Sequence, residues 1–225
     1  MKQEPRPVMT SLDGCFVKAI TIEEAKQVIL IYEWLGTMPN IPQYQYGLFT
    51  PENEIVGVAC FGIGHGSRSR LLCGEENMSK VICLERGACV HWAHPHAASF
   101  LISRACKLAY QEQGHQIFYA YSDAEAGEIG TVYQACNWSY LGVAPGRSSK
   151  WRYIYIKPDG TEINSRAERK LRKTCGHTLD DHLSRGWSRR RHNEKGKYVW
   201  FEGSKTEKKR FQKSLVHAVH SYPKR

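Results

Sequence analysis

The chain has 225 residues, of which 41% are hydrophobic and 24% charged, and carries a formal net charge of +10. That length can bury a proper core, as one domain with an appendage. No apolar run reaches the ~20 residues a bilayer span needs, and the opening MKQEPRPVMTSLDG lacks the apolar core of a signal peptide; a soluble, cytoplasmic protein is expected.

Eight cysteines stand at positions 15, 60, 73, 83, 89, 106, 136 and 175 without a single C-x-x-C pair. This argues against zinc-ribbon and thioredoxin classes and for reduced thiols in the core.

CFVKAI, Cys15 to Ile20, reads as a strand. Thr21 with Glu24 at the capping-box spacing opens a helix whose inner face carries Ala25, Val28, Ile29, Tyr32 and Leu35, with Gly36 as its stop. QYGLFT and EIVGVACFG are two strands joined by the turn PENE, GHGSRSR is a polar loop, and VICLERGACV, Val81 to Val90, is a further strand. His94-Pro95 opens a helix with a buried stripe of Ala98, Leu101, Ile102, Ala105, Leu108 and Ala109, ended by Gly114. The strand QIFYAYSD, the short segment GEIGTVYQACNW, and the strands SYLGVA and KWRYIYI follow. This order predicts an α/β layer arrangement around a mixed central sheet flanked by helices.

Beyond Lys157, Ser165-x-x-Glu168 and Thr178-x-x-Asp181 read as helix starts, with Gly176 and Gly186 as the matching ends. The strand KYVWFEG and a helix opened by Ser204-x-x-Glu207 complete the chain. The expected organisation is a main domain over 1–156 and a basic helical extension over 157–225, returning one strand to the main sheet.

Charge is segregated along this plan. Residues 157–225 hold 19 Lys/Arg against 8 Asp/Glu, whereas residues 1–156 hold 13 against 14. A cationic third interleaved with Trp187, Tyr198, Trp200 and Phe201 suits a polyanion, nucleic acid before an anionic membrane surface. Its clusters supply Arg169, Lys170, Arg172, Lys173, Arg189, Arg190, Arg191, Lys208, Lys209 and Arg210 as DNA-binding candidates. His91, His94 and His96 match no metal-ligand spacing, and no metal is assigned to them.

Four groups of residues sharpen the reading: Leu84-Glu85-Arg86, Ala98-Ser99-Phe100, Tyr121-Ser122-Asp123 and the stretch GTVYQACNWSYLG from Gly130 to Gly142. Together they resemble the phage Mom DNA-modification family, over roughly Tyr32 to Tyr155. The tail KYVWFEGSKTEKKR is similar as well. The resemblance implies a GNAT-like acyltransferase fold and modification of the N6 amino group of adenine in phage DNA, which blocks host restriction. The group added is of the carbamoylmethyl type. It implies functional roles at Arg86, Ser99, Asp123 and Tyr133, the tyrosine standing where many GNAT enzymes protonate a departing thiolate.

An acyl-CoA or related donor is implied at Val90, His91, Ala97, Ala98 and Ser99. There VHWAHPHAAS replaces the usual glycine-rich loop, but its helix N-terminus still offers backbone N–H groups to a phosphate. The family's early His-Tyr pair is Glu33-Trp34 here, and no role is carried to it.

The residues admit two readings each. Asp123, at a strand end beside Gly127 and Gly130, can take a proton from an exocyclic amine or cap the next turn. Arg86 can hold an anionic cofactor or form an ion pair with Asp123 or Glu128, on the strand face opposite Glu85. Ser99 can bond a ligand phosphate or a carbonyl of its own helix. Double-stranded DNA is the expected partner, with the adenine flipped out and stacked on Trp92, Trp138 or an aromatic of the C-terminal third. An acetyl-CoA-dependent N-acyltransferase on a protein or small amine is the second functional reading. A non-catalytic nucleic-acid-binding protein on the same scaffold is the third.

Overall fold

The structure is a computed structural model and describes residues 6–64, 70–143, 153–191 and 195–224. The loop expected at 64–70, the start of KWRYIYI and the centre of the cluster at 189–195 fall largely outside the described residues.

The main sheet has seven strands. In chain order they are β1 (Phe16–Ala19), β2 (Pro42–Phe49), β3 (Ile55–Gly62), β4 (Val81–Cys89), β5 (Ile117–Ser122), β6 (Ser139–Val143) and β10 (Gly196–Phe201). Their spatial order is β1-β2-β3-β4-β5-β10-β6. All neighbours are antiparallel except β4 and β5, which makes the sheet mixed, as expected. The last strand of the chain is therefore wedged between β5 and β6, and the cationic third contributes an interior strand of the sheet.

Two helices cover opposite faces. α1 (Ile22–Tyr32) packs Ala25, Val28 and Ile29 on Val58 and Cys60. α2 (Ala97–Gln113) packs Leu101, Ile102 and Ala105 into the larger cluster with Phe61, Leu84 and Phe118. α1 stops at Tyr32, before Leu35, because Glu33 turns extended and its carboxylate accepts the Leu35 N–H at 2.8 Å. Leu35 is exposed rather than on the buried stripe. The inner stripe of α2 begins at Ala97 instead of Ala98, since the helix opens two residues after Pro95. α3 (Thr131–Ala135) lies beside α2, and Phe211 of α6 (Lys205–Ser214) closes the core on Phe201.

KWRYIYI belongs elsewhere than the main sheet. β7 (Tyr153–Ile156) pairs with β8 (Glu162–Asn164) and β9 (Ser188–Arg191) in a second, three-stranded sheet, with α4 (Ser165–Cys175) and α5 (Leu179–Ser184) between β8 and β9 in the chain. The boxes at Thr21/Glu24, Thr178/Asp181 and Ser204/Glu207 all form. Ser165 instead gives its hydroxyl to the Tyr153 carbonyl at 2.7 Å, and Glu168 is buried against Arg172 and His182.

Candidate active site

β4 and β5 pair only over Val81–Leu84 and Ile117–Ala120. β4 runs on to Cys89 while β5 turns toward β10, so the two strands part beyond Leu84 and Ala120. The sequence places Arg86 on one side of this gap and Asp123 on the other.

Arg86 reaches its position through a bulge. Cys60 pairs with Arg86 and Phe61 with Leu84, leaving Glu85 as the extra residue. Strict alternation is lost there. Arg86 joins the α1 face with Cys60, and Glu85 is on that side too, with its carboxylate against Gly62 and accepting the Gly64 N–H at 2.9 Å. The opposite-face placement expected from alternation is therefore corrected by one inserted residue. The ion pair also differs from expectation. Arg86 Nε lies 3.9 Å from Glu33 Oε1 and donates to the Thr37 carbonyl at 3.1 Å, so its carboxylate partner is Glu33, with neither Asp123 nor Glu128 in that role.

Asp123 takes the capping role the sequence allowed, and its second carboxylate oxygen is held by a lysine from the C-terminal third. Oδ1 accepts the Glu125 N–H at 3.1 Å, capping the short 3₁₀ turn Ala124–Ala126, and Oδ2 is in direct contact with Lys195 Nζ. Its own N–H donates to Glu128 Oε2 at 3.3 Å. The carboxylate side chain is only 7% exposed. The neighbouring Glu33 side chain is 8% exposed, and burial pushes its carboxyl up while Arg86, and more weakly Lys195, oppose the rise. Glu33, Arg86, Asp123, Glu128 and Lys195 form one electrostatic cluster at the gap.

Tyr133 stands on the other face. Its ring packs 5.3 Å from Trp138 and 5.1 Å from Tyr198. Burial, with Glu128 adding to it, drives its hydroxyl well above the ordinary tyrosine range, so it remains an O–H donor at neutral pH. No hydrogen-bond partner for that hydroxyl is found among the described residues. Ser99 is in the first turn of α2 and donates to the His96 carbonyl at 3.0 Å, while its own carbonyl accepts from Cys136 Sγ at 3.5 Å, tying α2 to the α3 segment.

The five donor-binding candidates do not contribute alike. Val90 N–H is taken by Val56 O, Ala97 is buried with its N–H on His94 O, and His91 is exposed beside Tyr32. The N–H groups of Ala98 and Ser99 have no acceptor among the described residues. They lie at the positive end of a 17-residue helix, which fits one anionic group. No glycine between Val90 and Ser99 lets the backbone wrap it further. Among the described residues, no group of three or more His, Cys, Asp or Glu is placed to hold a metal ion.

Among the described residues, the DNA-binding candidates divide into exposed and engaged cations. Arg169, Lys170 and Lys173 are exposed on α4 and, with Thr174, line one recess. Arg191 and Lys209 are exposed as well, and Arg210 is exposed over Phe211. Arg189 lies over Tyr153. Arg172 is held by buried Glu168, and Lys208 by Glu202 and the Trp200 ring. Arg190 is clamped by Glu125 at 2.9 and 3.0 Å and by Glu162 at 2.7 and 3.1 Å.

The stacking candidates change. Trp138 is 1% exposed, and Tyr198, Phe201 and Trp92 are buried too, so none can receive an extruded base. Trp34, 50% exposed and next to Glu33, was not among them. Lys195 and Glu33 were also missed, because no local pattern marks a residue whose partner lies on a distant strand.

A search of curated proteins finds no match. Among solved structures, the chain is similar to spermidine N-acetyltransferase from Vibrio cholerae in complex with CoA and spermine, with 8% identity, TM-score 0.44, 88% of this chain and 98% of that one covered. It is also similar to an acetyltransferase from Bacillus subtilis in complex with CoA, with 9% identity, TM-score 0.46, and 84% and 98% covered. Likeness at this level supports no statement about donor or acceptor. The family comparison is of another order, since the model of the Mom protein family matches residues 14–224, nearly the whole chain. With its mixed sheet, its parted β4 and β5 and the residues gathered at the gap, this chain belongs to the Mom protein family.

Proposed function

We propose that the protein is a transferase that modifies the N6 amino group of adenine in double-stranded DNA with a carbamoylmethyl-type group, acting in a host cell's cytoplasm and protecting phage DNA from restriction. The observation that carries this reading is the gathering of Glu33, Arg86, Asp123 and Glu128 where β4 and β5 part, in a chain of the Mom family.

The chemistry is consistent with that setting. The lone pair of N6 is drawn into the ring, so the amine needs a proton acceptor close by, and the carboxylates of the cluster are the available ones. Arg86 is placed to hold negative charge near the gap. Tyr133, kept protonated and with no hydroxyl partner among the described residues, has a proton to give to a leaving group. An acyl-CoA-type donor would find its anion site at the Ala98 and Ser99 N–H groups; simple acyl transfer from it would leave an amide on N6, so the carbamoylmethyl product requires a bond-forming step at a methylene carbon instead. Extruding the adenine costs a few kcal/mol, which phosphate contacts from the exposed cations of α4, β9 and α6 offset. Trp34, half-exposed and next to Glu33 in the chain, is an aromatic on which the base can stack.

Mass spectrometry of nucleosides from the DNA of expressing cells tests the reading. A new adenosine derivative bears it out. Unchanged adenosine with an acylated protein or small amine overturns it in favour of an N-acyltransferase, and unchanged adenosine with DNA binding alone leaves a non-catalytic binder.

A further inference from the structure

The site borrows a residue from the far end of the chain. Lys195 directly precedes β10, and the insertion of that strand between β5 and β6 brings its ammonium onto Asp123 Oδ2. Asp123 Oδ1 is already taken by the Glu125 N–H, so both oxygens of this buried carboxylate are fixed, one by its own turn and one by the C-terminal segment. Glu33 and Glu128 share the same neighbourhood, and Arg86 is the cation on the other side. Among the described residues, those two cations face those three carboxylates.

We propose that Lys195 is a positioning residue of the transferase site: it holds the Asp123 carboxylate toward the gap and sets the charge balance of the Glu33–Asp123–Glu128 cluster. This rests on the transferase reading above. A carboxylate this buried is costly to leave unpaired. Without the ammonium, Asp123 would turn to water or to its own turn, and the Glu33 and Glu128 carboxyls, already raised by burial, would lose a cation that holds them down. Lys195 also makes the site depend on β10 being in place, so the site is complete only when the C-terminal third has folded into the sheet.

Lys195→Met removes the cation and keeps the aliphatic stem, Lys195→Arg keeps the charge, and Lys195→Gln stands in should Met prevent folding. In the Met variant, modification of DNA is expected to fall on the order of 10²-fold at neutral pH. The loss should be greater at pH 6 than at pH 8, because removing a cation raises the neighbouring carboxyls and moves the acidic limb of the profile upward. Arg should restore at least about a tenth of the wild-type rate, a milder loss than removing the charge, because it keeps the cation but not the geometry. Asp123→Asn combined with Lys195→Met should be no worse than the more damaging single change, since one acts through the other. Multiplying losses, or a Met variant with the wild-type rate and pH profile, would overturn the proposal.

Carboxyl ¹³C titration of Glu33 and Glu128, assigned with Glu→Gln variants, supplies a readout independent of DNA. Their midpoints should rise by about half a unit or more when Lys195 becomes Met, and stay near wild type with Arg. If the wild-type protein modifies no DNA, the function fails while displaced midpoints still sustain the role of Lys195. Undisplaced midpoints in the Met variant overturn it whatever the substrate.

Discussion

The ring of Tyr198 lies so close to Gly130 that a Cβ on the glycine would penetrate it. Tyr198 also donates its hydroxyl to the Ile129 carbonyl at 2.6 Å and pairs with Ala120 across β5. The strand from the C-terminal third thus sets where α3, and with it Tyr133, begins.

Gly130 has φ +75°, a left-handed conformation that costs a residue with a Cβ roughly 1–2 kcal/mol, before any clash. Overpacking against a buried ring adds about 1–3 kcal/mol. Gly130→Ala is therefore expected to destabilise the fold by about 2–5 kcal/mol in urea denaturation. A loss under about 0.5 kcal/mol would mean that the Tyr198 contact is slack.

Tyr133→Phe removes a hydroxyl that has no partner among the described residues and keeps the ring between Trp138 and Tyr198. Thermal stability and DNA affinity should hold. Modified adenosine per unit of soluble protein should drop about 10²–10⁴-fold, the range for a positioned proton donor. A stable Phe variant that modifies DNA at the wild-type rate makes the tyrosine a packing residue only.

DNA binding should weaken steeply with salt, with each phosphate contact contributing about 0.9 to the slope of log affinity against log salt. Truncation after Ile156 would remove β10 from between β5 and β6, so surface substitutions are the cleaner probe. Changing Arg169, Lys170 and Lys173 to Gln should lower the slope by up to about 3 with little change in stability. Arg172→Gln should instead cost stability, because it abandons buried Glu168. An unchanged slope in the triple variant removes α4 from the DNA interface.

Lys197 of β10 is 5% exposed, with its ammonium over the Tyr119 and Tyr121 rings and no carboxylate partner among the described residues. Burial pulls its pKa down to about 8 from 10.5. The folded chain therefore sheds this proton before the unfolded chain does, and the penalty for burying the charge, present at pH 7, fades as pH rises from about 8 toward 10.5. Lys197→Met should raise stability at pH 7 by about 1–3 kcal/mol, with the gain shrinking steadily above pH 8. A gain that is constant with pH would place the ammonium in a solvated or paired setting.

The elements that could be read in advance are those with local causes. Thr21 with Glu24, Thr178 with Asp181 and Ser204 with Glu207 start helices because a cap and its partner are three residues apart. The strands from QYGLFT to QIFYAYSD declare themselves as apolar runs bounded by turns. Arg86, Ser99, Asp123 and Tyr133 were singled out because they stand in motifs that resemble a family, and the segregation of charge pointed to a polyanion.

What the sequence determined by itself is thus the inventory: helix starts, strand runs, a cationic third, a mixed α/β plan and a family. Only the tertiary structure decided the assembly. Strand pairing is a non-local choice, so nothing near KYVWFEG says that it enters between β5 and β6, and nothing near KWRYIYI says that it leaves for a second sheet. A single extra residue at Glu85 turns Arg86 toward Glu33, a change of face that no periodicity count registers. Lys195 meets Asp123 because β10 is antiparallel to β5, and that register is set by the packing of Tyr198 and Val199 in the core.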